Sequence, residues 1–163
     1  MPSKNQSILL GAAVAVVVGT LLNIVIANAG TTGMMVGGCA GCLLIFIGPL
    51  VAVWHYTSTH HLTLTAGEGA GMGAITGVVG GILGWVVTYV LRLADVIPTA
   101  AEAQERAAAA FGADPATMPQ SDSFFSSPIG ELLIGLVFGA ILGAIGGAIG
   151  AAIFKKGPAV DDV

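Results

Sequence analysis

The stretch LLIGLVFGAILGAIGGAIGAAIF, residues 132–154, decides the fold of this chain. Glycine recurs at every fourth position, and on a helix residues four apart share a face. One face is therefore bare backbone, formed by Gly135, Gly139, Gly143 and Gly147. The opposite face is a ridge of branched side chains, formed by Val137, Ile141, Ile145 and Ile149. An interior glycine costs a helix in water roughly 1 kcal/mol relative to alanine, whereas in lipid it lets two helices approach closely. The pattern predicts a membrane helix packed as a glycine zipper.

Composition supports the same class of protein. Hydrophobic residues make up 55% of the 163 residues and charged residues 9%. Soluble domains average roughly 45–50% and 25%, so this chain has too little polar surface to form a water-facing shell. Five Lys and Arg residues against nine acidic ones exclude the basic surface that nucleic-acid binding requires. We predict a single transmembrane domain, residues 1–163, whose partner is the lipid bilayer, with no cofactor and no nucleic acid.

Apolar runs and helix-start signals predict four transmembrane spans, at about residues 8–27, 34–54, 66–91 and 129–154. About 20 residues at roughly 1.5 Å each cover the roughly 30 Å hydrocarbon layer. The first and third spans follow capping boxes, Ser3–Gln6 and Thr65–Glu68. Ser127 and Pro128 supply an N-cap and a first helical position for the fourth. Pro49 removes a backbone hydrogen bond inside the second span, which predicts a kink or an early opening there.

The first apolar run also has an interpretation as a signal peptide. Lys4 precedes the run, and Ala27-Asn28-Ala29 after it resembles an A-x-A cleavage site. The run is longer than the roughly 7–15 residues of a signal-peptide core. We therefore interpret it as a retained first span.

The third span repeats the glycine pattern of the fourth. One stripe consists of glycines four residues apart: Gly69, Gly73, Gly77 and Gly81. The opposite stripe is apolar and consists of Ile75, Val79, Leu83 and Val87. Small residues at this spacing let helix backbones approach in a membrane. The glycine stripes of the third and fourth spans are therefore predicted to be helix-packing sites.

Residues 94–127 are the one stretch with soluble character. Thr99–Glu102 is a capping box that predicts a short extramembrane helix, ending near Phe111 and stopped by Gly112. With four spans, both termini lie on one side of the membrane. Three lysines lie on that side: Lys4, Lys155 and Lys156. Two arginines, Arg92 and Arg106, lie on the other side. The positive-inside rule then favours cytoplasmic termini in a bacterial inner membrane.

Three histidines, His55, His60 and His61, are the strongest candidates for a metal or pigment site. Neutral imidazole is a common ligand of zinc, haem iron and chlorophyll magnesium. They lie in a predicted connection, residues 55–65, where no carboxylate completes a ligand set before Glu68. Another pair, Cys39 and Cys42, forms a C-x-x-C within an apolar helix, without a second pair, and is interpreted as small packing residues.

Catalytic and transport signals are sparse. No nucleophile with a base and an orienting group is evident, so we predict that the protein is not an enzyme. Glu68 and Glu131 lie at helix starts, and the remaining stretches 8–27, 34–54, 70–91 and 132–154 carry no charged residue. Their few polar groups are Thr20, Asn23, Thr76 and Thr88. Helix-to-helix hydrogen bonding would explain Asn23 and Thr88. These groups are too sparse to hydrate an ion across roughly 30 Å.

Several segments resemble small four-span bacterial membrane proteins grouped as domains of unknown function. These segments are the cysteine- and glycine-rich second span, the Leu64-Thr65-x-Gly67-Glu68-Gly69-Ala70 entry into the third, the loop before the fourth, and the closing Gly-Ala-Ala-Ile-Phe-Lys-Lys at 150–156. The resemblance covers most of the chain and implies no activity.

We therefore expect an all-α integral membrane bundle of four transmembrane helices, with glycine-zipper packing and one short extramembrane helix. Its expected function is that of a non-enzymatic structural or accessory subunit of a larger membrane assembly, such as a respiratory or photosynthetic complex. In that role it would contact other membrane protein subunits. The alternative is a homo-oligomeric pore or facilitator.

Overall fold

A computed structural model describes residues 3–28, 41, 44–99, 102, 105, 106, 108, 109, 112 and 127–158. Its principal elements are four helices: α1 (Asn5–Asn28), α2 (Ile47–His60), α3 (Ala66–Leu93) and α4 (Pro128–Ile153). Three of them contain stretches long and apolar enough to cross a membrane: Asn5–Ile26, Ala66–Leu93 and Pro128–Ile153. The chain is thus a helical, multi-pass membrane protein by the length and composition of these helices.

The predicted starts of α3 and α4 are confirmed. Thr65 caps α3 with the full capping box, in which its hydroxyl accepts from the Glu68 N–H and the Glu68 carboxylate accepts from the Thr65 N–H. Ser127 caps α4 by accepting from the Gly130 N–H at 3.1 Å, and Pro128 opens the helix. Each cap satisfies amide groups that the first turn of a helix leaves without a partner.

The start of α1 differs from the prediction. The helix begins at Asn5, and the Asn5 N–H donates to the Ser3 hydroxyl at 3.4 Å. This bond reaches two residues, whereas a capping box between Ser3 and Gln6 would reach three. The sequence pattern alone does not distinguish the two arrangements.

Helix α2 extends beyond the predicted end of the second span, residues 34–54, and the first part of the predicted connection, residues 55–65, is helical. Helix α2 continues to His60 and stops where His61 adopts a left-handed conformation, with φ 53°. Burial of Tyr56 and Thr57 explains the extension, because packing of their side chains stabilises a further helical turn. His55 and His60 are therefore helical. Most of the beginning of that predicted span, residues 34–40 together with 42 and 43, lies outside the described residues.

Pro49 lies in the first turn of α2, two residues after Ile47. The first turn has no intrahelical acceptor for its N–H groups, so proline causes no loss there. The sequence predicted either a kink at Pro49 or an early opening of the helix. The structure shows the second, because α2 begins only two residues before Pro49.

The bundle has two ends, which we name by the segments beside them. At the tail end, α1 and α3 begin while α2 and α4 finish; at the loop end, α3 finishes and α4 begins. Helices α3 and α4 form the most extensive pair, and α2 packs against all three others. The buried apolar cluster lies toward the tail end and comprises Ile8, Ala52, Val53, Tyr56, Leu62, Leu64, Met72 and Ala151.

The segment after α4 folds back onto the connection between α2 and α3. The Thr63 N–H donates to the Pro158 carbonyl at 2.9 Å, and the Thr63 hydroxyl donates to the Gly157 carbonyl at 2.7 Å. The same hydroxyl accepts from the Gly157 N–H at 3.3 Å. A side chain at Gly157 would collide with the His61 carbonyl. These contacts, which we call the tail clasp, tie residues 157 and 158 to the bundle.

Candidate functional site

The contact between α3 and α4 is made backbone to backbone through glycine. A Cβ placed on Gly69 would lie 2.5 Å from the Gly147 carbonyl oxygen, and one on Gly139 would lie 2.8 Å from that of Gly77. Between these pairs, Gly73 faces Gly143 in the same way. Real Cβ atoms do not approach other atoms this closely. The three pairs run in opposite directions along the two helices, so α3 and α4 are antiparallel with no room for a methyl group between them.

The fourth pair of predicted packing glycines is looser. A Cβ on Gly81 would lie 3.6 Å from the Gly135 carbonyl oxygen, which is ordinary van der Waals contact. A Cβ on Gly135 would meet nothing within 4 Å. The two helices therefore separate toward the loop end.

Other close glycine contacts hold α2 and were not singled out from the sequence. A Cβ on Gly48 would lie 2.9 Å from the Gly11 carbonyl oxygen of α1. On α4, Gly146 faces Phe46, and Gly150 faces Val53 of α2, with Cβ approaches of 3.1 Å each. Gly146 and Gly150 are four residues apart, which is a signal that could have been found. The stronger stripe at Gly135 to Gly147 concealed it.

A cavity of about 380 Å³ opens where α3 and α4 separate. We call it the glycine cavity. Its walls come from all four helices and from the residues just before α2: Ala15, Gly19, Leu22, Asn23, Gly41, Leu44, Ile45, Pro49, Thr76, Gly77, Gly80, Gly81, Gly135, Phe138, Gly139 and Leu142. Its polar side chains are those of Asn23 and Thr76. A smaller space of about 150 Å³, lined by Thr20 and Thr88, shares Asn23 with it.

The structure brings the four polar residues of the spans to the walls of these two adjoining spaces. The Asn23 amide donates to the Gly19 carbonyl at 3.0 Å, within α1. Asn23 therefore makes this hydrogen bond within its own helix, whereas the sequence predicted a bond to another helix. Thr76 is buried and donates to the Met72 carbonyl at 2.8 Å, within α3. Both side chains satisfy donors locally and still line the glycine cavity.

A polar cluster lies at the tail end, between α1, α2 and α3. The Ser7 hydroxyl and His55 Nδ1 are 2.8 Å apart. Lys4 Nζ is 3.4 Å from Glu68 Oε1 and 5.8 Å from the ring centre of Tyr56. Sequence reasoning missed the Ser7–His55 pair because 48 residues separate the two positions.

Ser7 and His55 resemble a nucleophile with its base, but their surroundings favour a structural role. Ser7 is only 1% exposed, so a substrate cannot reach its hydroxyl. Among the described residues no carboxylate hydrogen-bonds to His55, as an orienting group would. The pair joins α1 to α2, as polar side chains commonly do between membrane helices.

The three histidines have different environments. His55 bonds to Ser7, whereas the His60 ring packs against Tyr56 with ring centres 4.8 Å apart. His61 is exposed at the end of α2, where its left-handed backbone ends the helix. Over the part of the chain that the structure describes, no three His, Cys, Asp or Glu residues gather as metal ligands. Cys39 and Cys42 lie outside the described residues.

Polar contacts join α3 and α4 at the loop end. Arg92 Nη1 donates to Glu131 Oε2 at 2.8 Å. The Trp85 indole N–H donates to the Pro128 carbonyl at 3.1 Å, and its ring stacks on Tyr89 with centres 5.5 Å apart. Aromatic and arginine side chains of this kind are typical of the membrane interface.

Beyond α3, the predicted capping box at Thr99 is formed. The Thr99 N–H and hydroxyl donate to the Glu102 carboxylate at 2.8 Å and 3.0 Å. Both hydrogen bonds lower the pKa of Glu102, and the bond from the Thr99 backbone N–H has the larger effect. Gly112 has a φ of +66°, as expected of a helix stop. Much of the helix predicted between them lies outside the described residues.

A family model described as a protein of unknown function (DUF4199) matches residues 8–156, which include the glycine contacts and the glycine cavity. The chain belongs to the DUF4199 family. No curated protein matches it, and no solved structure matches it. The expected membership in a family of unknown function is confirmed, and the DUF4199 assignment names no substrate, cofactor or partner.

Proposed function

We propose that this DUF4199 protein is a non-enzymatic membrane subunit with four spans, which serves as a structural or accessory component of a larger membrane assembly. The second span would comprise α2 and the residues before it. The glycine stripes of α3 and α4, in close contact at the pairs Gly69–Gly147, Gly73–Gly143 and Gly77–Gly139, would act as a glycine zipper that gives the subunit a rigid body.

The closed α3–α4 contact is the observation that carries the proposal. Where a methyl group does not fit between two helices, water and ions do not fit either. The outer ridge of α4 remains exposed, with Val137 57% and Ile145 47% accessible. A body whose α3–α4 contact is closed from Gly69 to Gly77 and whose outer face is apolar is suited to contact lipid and other membrane helices.

A non-enzymatic role is supported by the buried Ser7–His55 pair. The Ser7 hydroxyl is buried, so a substrate cannot reach it. Catalysis by a serine nucleophile needs a substrate carbonyl within reach of the hydroxyl. Among the described residues, Lys4 pairs with Glu68 at the tail end and Arg92 pairs with Glu131 at the loop end. Coupled transporters instead place such groups within their spans.

A homo-oligomeric pore or facilitator is the second candidate, and one observation favours it. Thr20, Asn23, Thr76 and Thr88 all line the glycine cavity or the space beside it. Several copies of the chain could join these surfaces into a longer polar path.

Reconstitution in liposomes distinguishes the two candidates. The accessory role predicts that purified protein passes neither ions nor small polar solutes above the background of empty vesicles. Reproducible single-channel conductance, abolished by Gly→Ile changes along α3 or α4, would support the pore. Circular dichroism of each variant in the same liposomes separates loss of conductance from loss of fold.

A further inference from the structure

We propose that the glycine cavity binds one acyl chain of a membrane phospholipid. The cavity volume of about 380 Å³ falls within the roughly 300–1,000 Å³ of small-molecule sites. All its lining residues are uncharged, and most present hydrocarbon or bare glycine backbone. The inference goes beyond the accessory role and does not depend on it.

Water is a poor occupant of this cavity. At about 30 Å³ per molecule, the space corresponds to roughly a dozen waters, and each ordered water needs about two to four polar partners. The lining supplies two polar side chains, Asn23 and Thr76, and each uses one donor on a carbonyl of its own helix, so the polar atoms that remain are too few for roughly a dozen waters. An apolar occupant is therefore favoured, because it needs no such partners.

The depth of the cavity matches the acyl region of a single leaflet. Thr76 lies ten residues beyond Ala66, or about 15 Å along α3, which is half of the roughly 30 Å hydrocarbon layer. Asn23 lies five residues before Asn28, or about 8 Å from the end of α1. The cavity therefore extends from the middle of the bilayer toward the loop end.

The cavity is continuous with the lipid-facing surface. Ile45 and Phe138 both line it, and they are 45% and 60% exposed. A chain can therefore enter sideways from the bilayer. Asn23 lies nearest the headgroup region and has a second amide N–H besides the one bonded to Gly19, which can donate to an ester carbonyl. An ester-linked acyl chain fits this arrangement of polar and apolar groups.

Two glycines allow the cavity to be filled without disturbing the packing. Gly19 and Gly135 line it, and a Cβ on either would meet nothing within 4 Å. Leucine at either position should occupy the space that the acyl chain uses. Gly71 is the matched control, because its Cβ would also meet nothing within 4 Å and it is exposed away from the cavity. Gly71→Leu makes the same chemical change in a transmembrane helix.

The test measures phospholipid retained per chain by mass spectrometry after purification and exchange into lipid-free detergent. We expect wild type and Gly71→Leu to retain a phospholipid, and Gly19→Leu and Gly135→Leu to retain on the order of tenfold less. Equal retention in all four proteins would overturn the proposal, since the lipid would then be bound elsewhere. Retention of a lipophile without an acyl ester, or of no lipid by wild type, would also overturn it.

A second measurement on the wild-type protein applies if the cavity variants do not fold. Nanodiscs would contain phosphatidylcholine with a photoreactive diazirine in its acyl chain. We expect crosslinks at Leu22 and Leu142, which line the cavity. Crosslinks confined to the exposed ridge residues Ile141 and Ile145 would overturn the proposal.

Discussion

Replacing Gly77 with alanine adds one methyl group where α3 and α4 have no room for it. The new Cβ would lie against the Gly139 carbonyl oxygen, closer than real Cβ atoms approach. The neighbouring atoms are helix backbone, which cannot rotate away as a flexible side chain can. The two helices must therefore separate or tilt, and the adjacent contacts at Gly73 and Gly143 weaken with them.

The magnitude follows from two opposed effects. Overpacking a well-packed interface typically costs about 1–3 kcal/mol. Replacing an interior helical glycine with alanine returns roughly 0.5–1 kcal/mol. Gly71→Ala receives the second effect without the first, because its Cβ would meet nothing within 4 Å. The two variants should thus differ in free energy of unfolding by about 1–3 kcal/mol, with Gly77→Ala the less stable.

The assay is reversible unfolding by sodium dodecyl sulfate in mild detergent micelles. Circular dichroism reports helix content, and tryptophan fluorescence, from Trp54 of α2 and Trp85 of α3, reports the environment of these two helices. A difference between the two variants smaller than about 0.5 kcal/mol, the usual range for a neutral surface change, would refute the close backbone contact.

Three further predictions concern the segments outside the helix contacts. Thr63→Val removes both hydrogen bonds that the Thr63 hydroxyl makes in the tail clasp, each worth about 0.5–1.5 kcal/mol. Trypsin should therefore cleave after Lys155 or Lys156 several-fold faster than in wild type. The control Thr63→Ser keeps the hydroxyl and should behave as wild type. Single cysteines at Ala109 and Ala159, with Cys39 and Cys42 replaced, test the topology: an impermeant reagent on intact cells should label the first and not the second, and the reverse would invert the orientation. The hydrogen bonds from Thr99 lower the pKa of Glu102, so its cap should persist at neutral pH and be lost as the pH falls through that lowered value. The NMR signal of the Thr99 amide should then shift in acid, and an identical shift in Glu102→Gln would disprove the assignment.

Local signals in the sequence predicted local features well. The capping boxes at Thr65 and Thr99, and the Ser127–Pro128 start, each depend on residues within a few positions of one another. Such contacts can be inferred because a helix start presents unpaired amides to the side chains beside it. The expected start and approximate length of α3 followed from the same signals.

Features that depend on packing between distant segments were not predictable. The extension of α2 to His60 follows from burial of Tyr56 and Thr57, which no local pattern reveals. The Ser7–His55 contact joins residues 48 positions apart. The glycine cavity exists because α3 and α4 separate near Gly81 and Gly135, although the spacing of their glycines is as regular there as elsewhere. Periodicity specifies a face of a helix and leaves the crossing of two helices undetermined.

Extraction of the protein from its native membrane in mild detergent tests the accessory role most directly. Quantitative mass spectrometry of the tagged protein would measure the ratio of every co-purifying membrane protein to this chain across independent preparations. The accessory role predicts at least one other subunit at a constant ratio, retained through size-exclusion chromatography. Recovery of this chain alone, or as a homo-oligomer that conducts ions in liposomes, would contradict it.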